Sequence, residues 1–175
     1  MKKVTVTFFF ALLAIVAFAQ DTKKDQRIVE DSEEAKEAFL KDDPSMESFF
    51  DSSYGYIILP NVGKGGLGIG GASGNGVAYQ GGGKVGYARM TQVTIGFQAG
   101  GQAYSEVVFF ENKEAFDRFK NSKVEMSAQV SAVAAASGAS LNAKYVEGVA
   151  VFTRTKGGLM YEASVGGQQF KFREN

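Results

Sequence analysis

The spacing of hydrophobic residues changes near Tyr54, from a helical repeat to the alternation typical of β-strands. Before this point, the charged segment 21–42 (DTKKDQRIVEDSEEAKEAFLKD) places Ile28, Ala35 and Phe39 on one helical face. Because that apolar face is thin, the segment predicts a surface helix that packs loosely on the domain. The alternative interpretation is a mobile arm that touches a membrane.

A second short helix is predicted just before the spacing changes. Asp43 offers a side-chain cap, and Pro44 suits the first turn of a helix. Met46, Phe49 and Phe50 then give this helix an apolar side. Such a side is typical of core packing, and insertion of the two phenylalanines into lipid is the functional alternative.

From Tyr54 onward the chain is predicted to form a series of strands. YGYIILP predicts a short buried strand that ends at Pro60 and Asn61. The segment GLGIGGASGNGVAY predicts a hairpin with Asn75 and Gly76 as its turn. TQVTIGFQAG and SEVVFFE each predict a further strand, and the turns that flank VEMSAQVSAVAAASGAS favour a strand there over a helix.

The remaining segments complete the predicted fold. NKEAFDRFKNS predicts one short internal helix that Asn112 caps, and VEGVAVFTRTKGGLMYEASVGGQQFKF predicts a closing hairpin with its turn at 156–158. The strands follow one another too closely for βαβ crossovers, which need a dozen or more residues. We therefore predict an α+β fold: a mainly antiparallel, strongly twisted or barrel-like β-sheet with an N-terminal helical segment and one short internal helix.

Composition narrows the possible chemistry, because the chain contains neither histidine nor cysteine. Catalytic triads that use histidine or cysteine are excluded, as are the usual zinc, copper and haem ligands. No spacing among the carboxylates singles out an acid–base pair; the candidates are Asp31, Glu33, Glu34, Glu106 and Glu162. We predict a protein without enzymatic activity, cofactor or metal.

The first residues have the pattern of a secretory signal. Lys2 and Lys3 precede an apolar run from Phe8 to Ala19, which ends in the small-x-small pattern of a cleavage site. The run is shorter than the ~20 residues that span a bilayer. We predict a signal peptide at 1–19, a charged helical segment at 20–53 and a β-rich domain at 54–175.

The glycine-rich stretch NVGKGGLGIGGASGNG contains a formal G-x-G-x-x-G match at Gly66, Gly68 and Gly71. A dinucleotide-binding loop requires a strand before the glycines and a helix after them. Here a turn-like ASGNG follows instead, and GGGKV at 81–85 lacks the residues of a phosphate-binding P-loop. The glycines are better explained by close packing of the backbone.

Three segments, in order, resemble the SYLF domain family. YGYIILPNVGKGGLGIGGASGNGVAY has the apolar strand, Pro-Asn-Val, basic residue and glycine-rich run of the first block. IGFQAGGQAYSEVVFFENKEAFDRFKNSKVEMSAQVSAVAA and FTRTKGGLMYEASVGG are similar to the second and third blocks. The resemblance covers about residues 54–172. The segment KVGYARM and the acidic helix EDSEEAKEAF depart from the family pattern.

The resemblance implies a non-enzymatic lipid-binding module, since eukaryotic members bind phosphoinositides and some regulate actin, while bacterial members are exported and associate with membranes. We therefore expect an exported protein, periplasmic or extracellular and peripheral to a membrane, that binds anionic or phosphoinositide-like phospholipid at the cell envelope. Actin is not an expected partner of an exported protein. Nucleic acid is not expected either, because lysine plus arginine and aspartate plus glutamate balance at 19 each.

Basic residues near the glycine-rich turns are the first candidates for lipid contacts. The predicted lipid-binding residues are Lys64, Lys84, Arg89, Arg154, Lys156, Phe49 and Phe50. Each cation near an anionic surface contributes about 1 kcal/mol, so a patch of this size predicts modest, salt-sensitive binding. The alternative function is a structural or protein-interaction component of the envelope, which would act through a sheet edge or the acidic helix.

Overall fold

The computed structural model describes residues 23–121, 125–126, 133–134, 143–155, 158–161 and 168–175. Only the backbone is described at 66–69, 94–102, 125–126, 133–134 and 158–161. The predicted signal peptide, Lys156 and most of the segment VEMSAQVSAVAAASGAS lie outside the described residues. The boundaries predicted for the three parts of the chain therefore stay a prediction.

Helices occupy the start of the described chain and one later position. Helix α1 covers residues 23–42, a 3-10 turn covers Pro44–Met46, α2 covers Glu47–Ser52 and α3 covers Lys113–Lys120. Asp43 caps the 3-10 turn by accepting a hydrogen bond from the Ser45 amide at 3.0 Å, as predicted. None of the helices in the described ranges is long and apolar enough to cross a membrane.

Seven antiparallel strands in the described ranges form one sheet. They are β1 (Gly55–Gln80), β2 (Gly83–Phe110), β3 (Glu125–Met126), β4 (Val133–Ala134), β5 (Val149–Thr155), β6 (Gly158–Tyr161) and β7 (Gln168–Glu174). Their order is β3-β7-β2-β5-β6-β4, and β1 pairs with β2 along its other side. The predicted α+β class is confirmed. Among the described residues β3 and β4, the two ends of this strand order, do not pair with each other, so the sheet is not closed.

The two longest strands form a hairpin whose turn differs from the predicted one. The turn is Gly81-Gly82, where both residues have positive φ (57° and 78°), a conformation that glycine adopts without strain. Asn75 and Gly76 lie within β1, opposite Arg89 and Ala88 of β2. The prediction of a turn at Asn75-Gly76 was therefore wrong.

Strand β1 folds back on itself. A Cβ atom added to Gly76 would lie 2.0 Å from the Ile58 carbonyl oxygen, and one added to Gly74 would lie 3.1 Å from the Asn61 oxygen. Gly55 lies in the same way against the backbone of Tyr79. The two halves of β1 are thus in backbone contact, which requires glycine at the contact points. Strand β1 also continues past Pro60 with a register shift, so the predicted strand end there was wrong.

Two apolar clusters stabilise this sheet. One packs around α3 and contains Phe110, Phe116, Phe119 and Phe170, together with Ile57, Leu59, Val62, Ala72, Ala78, Ala88, Met90, Val108, Ala115 and Val151. The other packs beneath α1 and α2 and contains Phe39, Phe49, Phe50, Phe109 and Phe152, together with Ala35, Met46, Tyr56, Ile58, Val107 and Ala150. Helix α1 is thus joined to the core by the face that the sequence predicted, with Phe39 fully buried.

Candidate anion-binding cleft

The outer face of the β1–β2–β7 corner carries rows of polar side chains that follow from strand register. Asn75 of β1 faces Arg89 of β2, and Arg89 faces Lys171 of β7. All three are exposed. The residues next to each of them along its own strand, such as Ala88, Met90 and Phe170, face the core. Since neighbouring side chains in one cross-strand row lie about 5 Å apart at Cβ, the register holds two cations and an amide side by side.

Arg89 and Lys171 form no ion pair or side-chain hydrogen bond with any residue that the structure describes. Like charges directly opposite each other on adjacent strands are destabilising. The fold therefore maintains an unfavourable pair of cations on a solvent-facing surface. An anion bound between them would relieve this repulsion.

The next cross-strand row adds a third cation, Arg173, which contacts an aromatic ring and a carboxylate. Arg173 of β7 faces Tyr87 of β2, and its guanidinium lies 4.5 Å from the centre of the Tyr87 ring. Its Nη2 atom donates hydrogen bonds to both carboxylate oxygens of Asp25, at 2.9 and 2.8 Å. Asp25 belongs to the first described residues of α1, so this pair joins that part of the helix to β7.

Helix α1 and the sheet enclose a cleft of about 380 Å³. Its cationic lining consists of Lys24, Arg89, Lys171 and Arg173, and Asp25 is the acidic residue among the lining side chains. Ile28, Asn75 and Tyr87 complete much of the wall, with Gly76, Ala88 and Phe172. Four cations against one carboxylate give the cleft a strongly positive potential, although the whole chain is balanced in charge.

Two predicted contacts, Lys84 and Arg89, lie near this cleft, Arg89 in its wall and Lys84 beside it. Lys84 is exposed, and its ammonium donates to the Tyr87 hydroxyl at 2.9 Å and lies 4.7 Å from the centre of that ring. Tyr87 is thereby contacted by Lys84 and Arg173. The structure thus brings Lys84 and Arg89 to the same corner of the sheet.

The other predicted contacts are placed elsewhere. Lys64 lies on β1 opposite Gln102 and is partly exposed. Arg154 of β5 pairs with Asp42 at 2.7 Å, both partly buried, and this ion pair joins the end of α1 to the sheet beside a second cavity of about 400 Å³. Its guanidinium is engaged within the fold, so we do not include Arg154 in the cleft. Lys156 lies outside the described residues.

Phe49 and Phe50 are buried beneath α2 rather than displayed at the surface. The Phe49 ring lies 5.3 Å from that of Phe109 and 5.1 Å from that of Phe152, and the Phe50 ring lies 5.1 Å from that of Tyr56. In this fold both side chains are more than nine-tenths buried, so neither ring is exposed for insertion into a bilayer. The structure supports the core interpretation that the sequence also suggested.

Three residues of the cleft, Lys24, Lys171 and Arg173, were absent from the sequence-based set. Lys171 and Arg173 alternate with Phe170 and Phe172 in the segment FKFR, and this alternation places both cations on the outer face of a strand. That signal was available in the sequence. Their position next to Arg89 depends on the pairing of β7 with β2, which the sequence did not indicate.

The clearest pKa changes belong to tyrosines of the second core cluster, away from the cleft. Burial raises the pKa of Tyr79 and of Tyr145 to about 12, because the charged phenolate is poorly solvated there. Burial also raises the pKa of Tyr56. The described ranges contain no cluster of three or more acidic residues arranged to hold a metal ion.

Two comparisons with known proteins agree with the resemblance seen in the sequence. Residues 91–175 match the family model described as "Ysc84: Las17-binding protein actin regulator". The chain is also 32% identical over 132 residues, 75% of its length, to Beta cell expansion factor A of Aeromonas veronii.

The chain spans about half the length of this curated relative, since the match covers 50% of it. Family members are associated with lipid binding or with actin regulation. The matched half of the chain includes β7, which supplies two cations of the cleft, and ends with the last residue. Together with the ordered motifs of the first half, these matches show that the chain belongs to the SYLF (Ysc84-type) family.

Proposed function

We propose that this protein is a non-enzymatic module that binds anionic phospholipid at the bacterial cell envelope, and that the cleft between α1 and the β2–β7 face is its headgroup site. The observation that carries the proposal is the pair formed by Arg89 and Lys171. These two cations are held in register on adjacent strands, and neither has an acidic partner among the described residues. A phosphate between them would accept hydrogen bonds from both.

The cleft suits a headgroup better than a protein side chain of the same charge. Guanidinium and ammonium groups from different elements surround a volume of about 380 Å³, which has room for a phosphate and its substituent. The Asn75 amide can donate to the same ligand. The outer rows next to the cleft are polar and exposed, as a surface that faces headgroups requires; they include Ser73, Thr91 and Gln169.

We also propose that the protein is exported, so that the cleft meets membranes outside the cytoplasm. The signal pattern of the first 19 residues is one reason for this part of the proposal. Location at the envelope, either periplasmic or extracellular, and association with the membrane surface therefore form part of our proposal.

Co-sedimentation with lipid vesicles tests the proposal. The mature exported chain is mixed with vesicles of phosphatidylcholine alone or with phosphatidylglycerol, each at low and at high salt. We expect binding to the anionic vesicles at low salt and a marked loss at high salt, because exposed charges are screened beyond about 10 Å at 0.1 M salt. Absence of binding under all four conditions would refute lipid binding.

A matched pair of variants then tests the site. Arg89→Gln with Lys171→Gln should weaken binding roughly 20- to 30-fold, since each cation near an anionic surface contributes about 1 kcal/mol. Arg118→Gln with Lys41→Gln changes the net charge by the same amount at exposed positions on α3 and α1. Equal losses in both double variants would show that net charge, rather than the cleft, governs binding.

A further inference from the structure

Arg173 is the one cation of the cleft that the described structure pairs with an acid. Both oxygens of Asp25 accept hydrogen bonds from its Nη2 atom, and 63% of the Arg173 side chain remains exposed against 25% for Asp25. The carboxylate therefore lies inside the cleft, between the helix and the strand. Arg89 and Lys171, one row away, have no such partner among the described residues.

The Asp25 carboxylate has the chemistry that a ligand phosphate would present to Arg173. Both groups accept charge-assisted hydrogen bonds from guanidinium nitrogens through two oxygen atoms. A headgroup that enters the cleft and Asp25 therefore compete for the same donor. Partly exposed ion pairs contribute little to stability, so a phosphate can displace the carboxylate.

The position of Asp25 allows such a displacement without disruption of the core. Asp25 lies near the first described residue of α1, before Ile28, which is only partly buried. The helix is fixed at its other end by buried Phe39 and by the pair of Asp42 with Arg154. The segment around Asp25 is distant from these anchors and can move away from Arg173 while residues 35–42 stay in place.

We propose, resting on the lipid-binding function above, that Asp25 is an internal competitor that sets the affinity and selectivity of the cleft. While Asp25 holds Arg173, a ligand meets Arg89, Lys171 and Lys24. A ligand of high negative charge also gains Arg173 and releases the segment of α1 around Asp25. Asp25 is a positioning residue, since it acts on the ligand through Arg173.

A double-mutant cycle tests this competition. Asp25→Asn should increase the affinity for phosphatidylglycerol vesicles about fivefold, the effect of one additional cation at an anionic surface. Glu30→Gln, exposed on the same helix, removes the same charge without contact to Arg173 and should change the affinity much less. In an Arg173→Gln background, Asp25→Asn should have no greater effect than Glu30→Gln.

Hydrogen exchange supplies a readout that a change in charge alone would not affect. Vesicle binding should speed exchange of the amides of residues 25–29 in the wild-type chain, because the ligand displaces Asp25 from Arg173. In the Asp25→Asn variant these amides should exchange quickly with or without vesicles. No change on binding in the wild-type chain would overturn the competition.

The outcomes separate the two proposals. If neither the wild-type chain nor Asp25→Asn binds anionic vesicles, lipid binding itself fails. If the wild-type chain binds, and Asp25→Asn and Glu30→Gln strengthen binding equally, the competition by Asp25 is refuted while the lipid-binding function stands. Inorganic phosphate, added as a competitor, should reduce vesicle binding if the cleft recognises phosphate itself rather than the bilayer surface.

Discussion

Gly76 faces the carbonyl oxygen of Ile58 so closely that a Cβ atom at position 76 would lie 2.0 Å from it. The neighbouring backbone of Leu59 would lie 3.0 Å from the same atom. Both contacts involve main-chain atoms of a buried strand, which cannot move aside as a side chain can. The glycine-rich stretch of the sequence therefore allows two halves of one strand to meet.

Gly76→Ala should accordingly destabilise the protein strongly. Overpacking in a core costs about 1–3 kcal/mol and more where backbone must shift, and here the obstructing atom belongs to the backbone. Gly63→Ala is the matched control, since a Cβ atom there would meet nothing within 4 Å. Urea unfolding followed by circular dichroism measures both. Equal stabilities of the two variants would contradict the close approach.

Phe49→Ala should lower the free energy of unfolding by about 3–5 kcal/mol, the usual cost of removing a buried phenylalanine. The Phe49 ring contacts those of Phe109, Phe152 and Tyr145. Where the variant is still folded, its affinity for anionic vesicles should equal that of the wild-type chain. A loss of vesicle binding with unchanged stability would instead support membrane insertion of this residue. Val93→Ala, at a position 69% exposed, is the control.

Stability should fall as the pH rises from about 10 to about 12. The pKa of Tyr79 and of Tyr145 is raised to about 12 in the folded state, whereas tyrosine in an unfolded chain ionises near 10. Above pH 10 the unfolded state loses protons first, so the stabilisation present below that pH is lost as the folded pKa is approached. Chemical unfolding measured across this range tests the expectation.

Replacement of both tyrosines by phenylalanine should flatten this alkaline loss. Their hydroxyls are buried without a hydrogen-bond partner in the described structure, so the change should be neutral or stabilising at pH 7. Tyr54→Phe offers a contrast, because the Tyr54 hydroxyl accepts a hydrogen bond from Gln80 at 3.0 Å. We expect that variant to lose stability at neutral pH. An unchanged alkaline profile in the Tyr79→Phe, Tyr145→Phe chain would contradict the prediction.

Local signals in the sequence predicted the local structure well. Asn112 caps α3 by accepting a hydrogen bond from the Ala115 amide at 3.0 Å, and the helix has the predicted place in the chain. The β5–β6 hairpin also has its predicted position, since Thr155 pairs with Gly158. On the exposed side of this helix, Lys113 forms an ion pair with Asp117 one turn later.

Contacts between distant residues explain what the sequence did not predict. Asn-Gly is a strong local signal for a turn, but Gly76 is required by the approach of Ile58, 18 positions earlier. Arg89 was predicted as a lipid contact, but Lys171 and Lys24 were not. Lys171 lies next to Arg89 because β7 pairs with β2, and Lys24 reaches the cleft because of the position of α1. Arg154 was predicted as a lipid contact from its place in the basic hairpin, and nothing in the sequence indicated its pairing with Asp42, 112 residues earlier in the chain.

Because β1 and β2 pair along one long hairpin, we expect that the segment matched by the family model does not fold alone. Residues 91–175 contain only part of β2 and none of β1, so a fragment cut at that boundary would expose a long unsatisfied strand edge. It would also lack α1 and α2, which cover Phe109 and Phe152. A fragment intended to fold should therefore include the glycine-rich strand and its helical cover along with the matched segment.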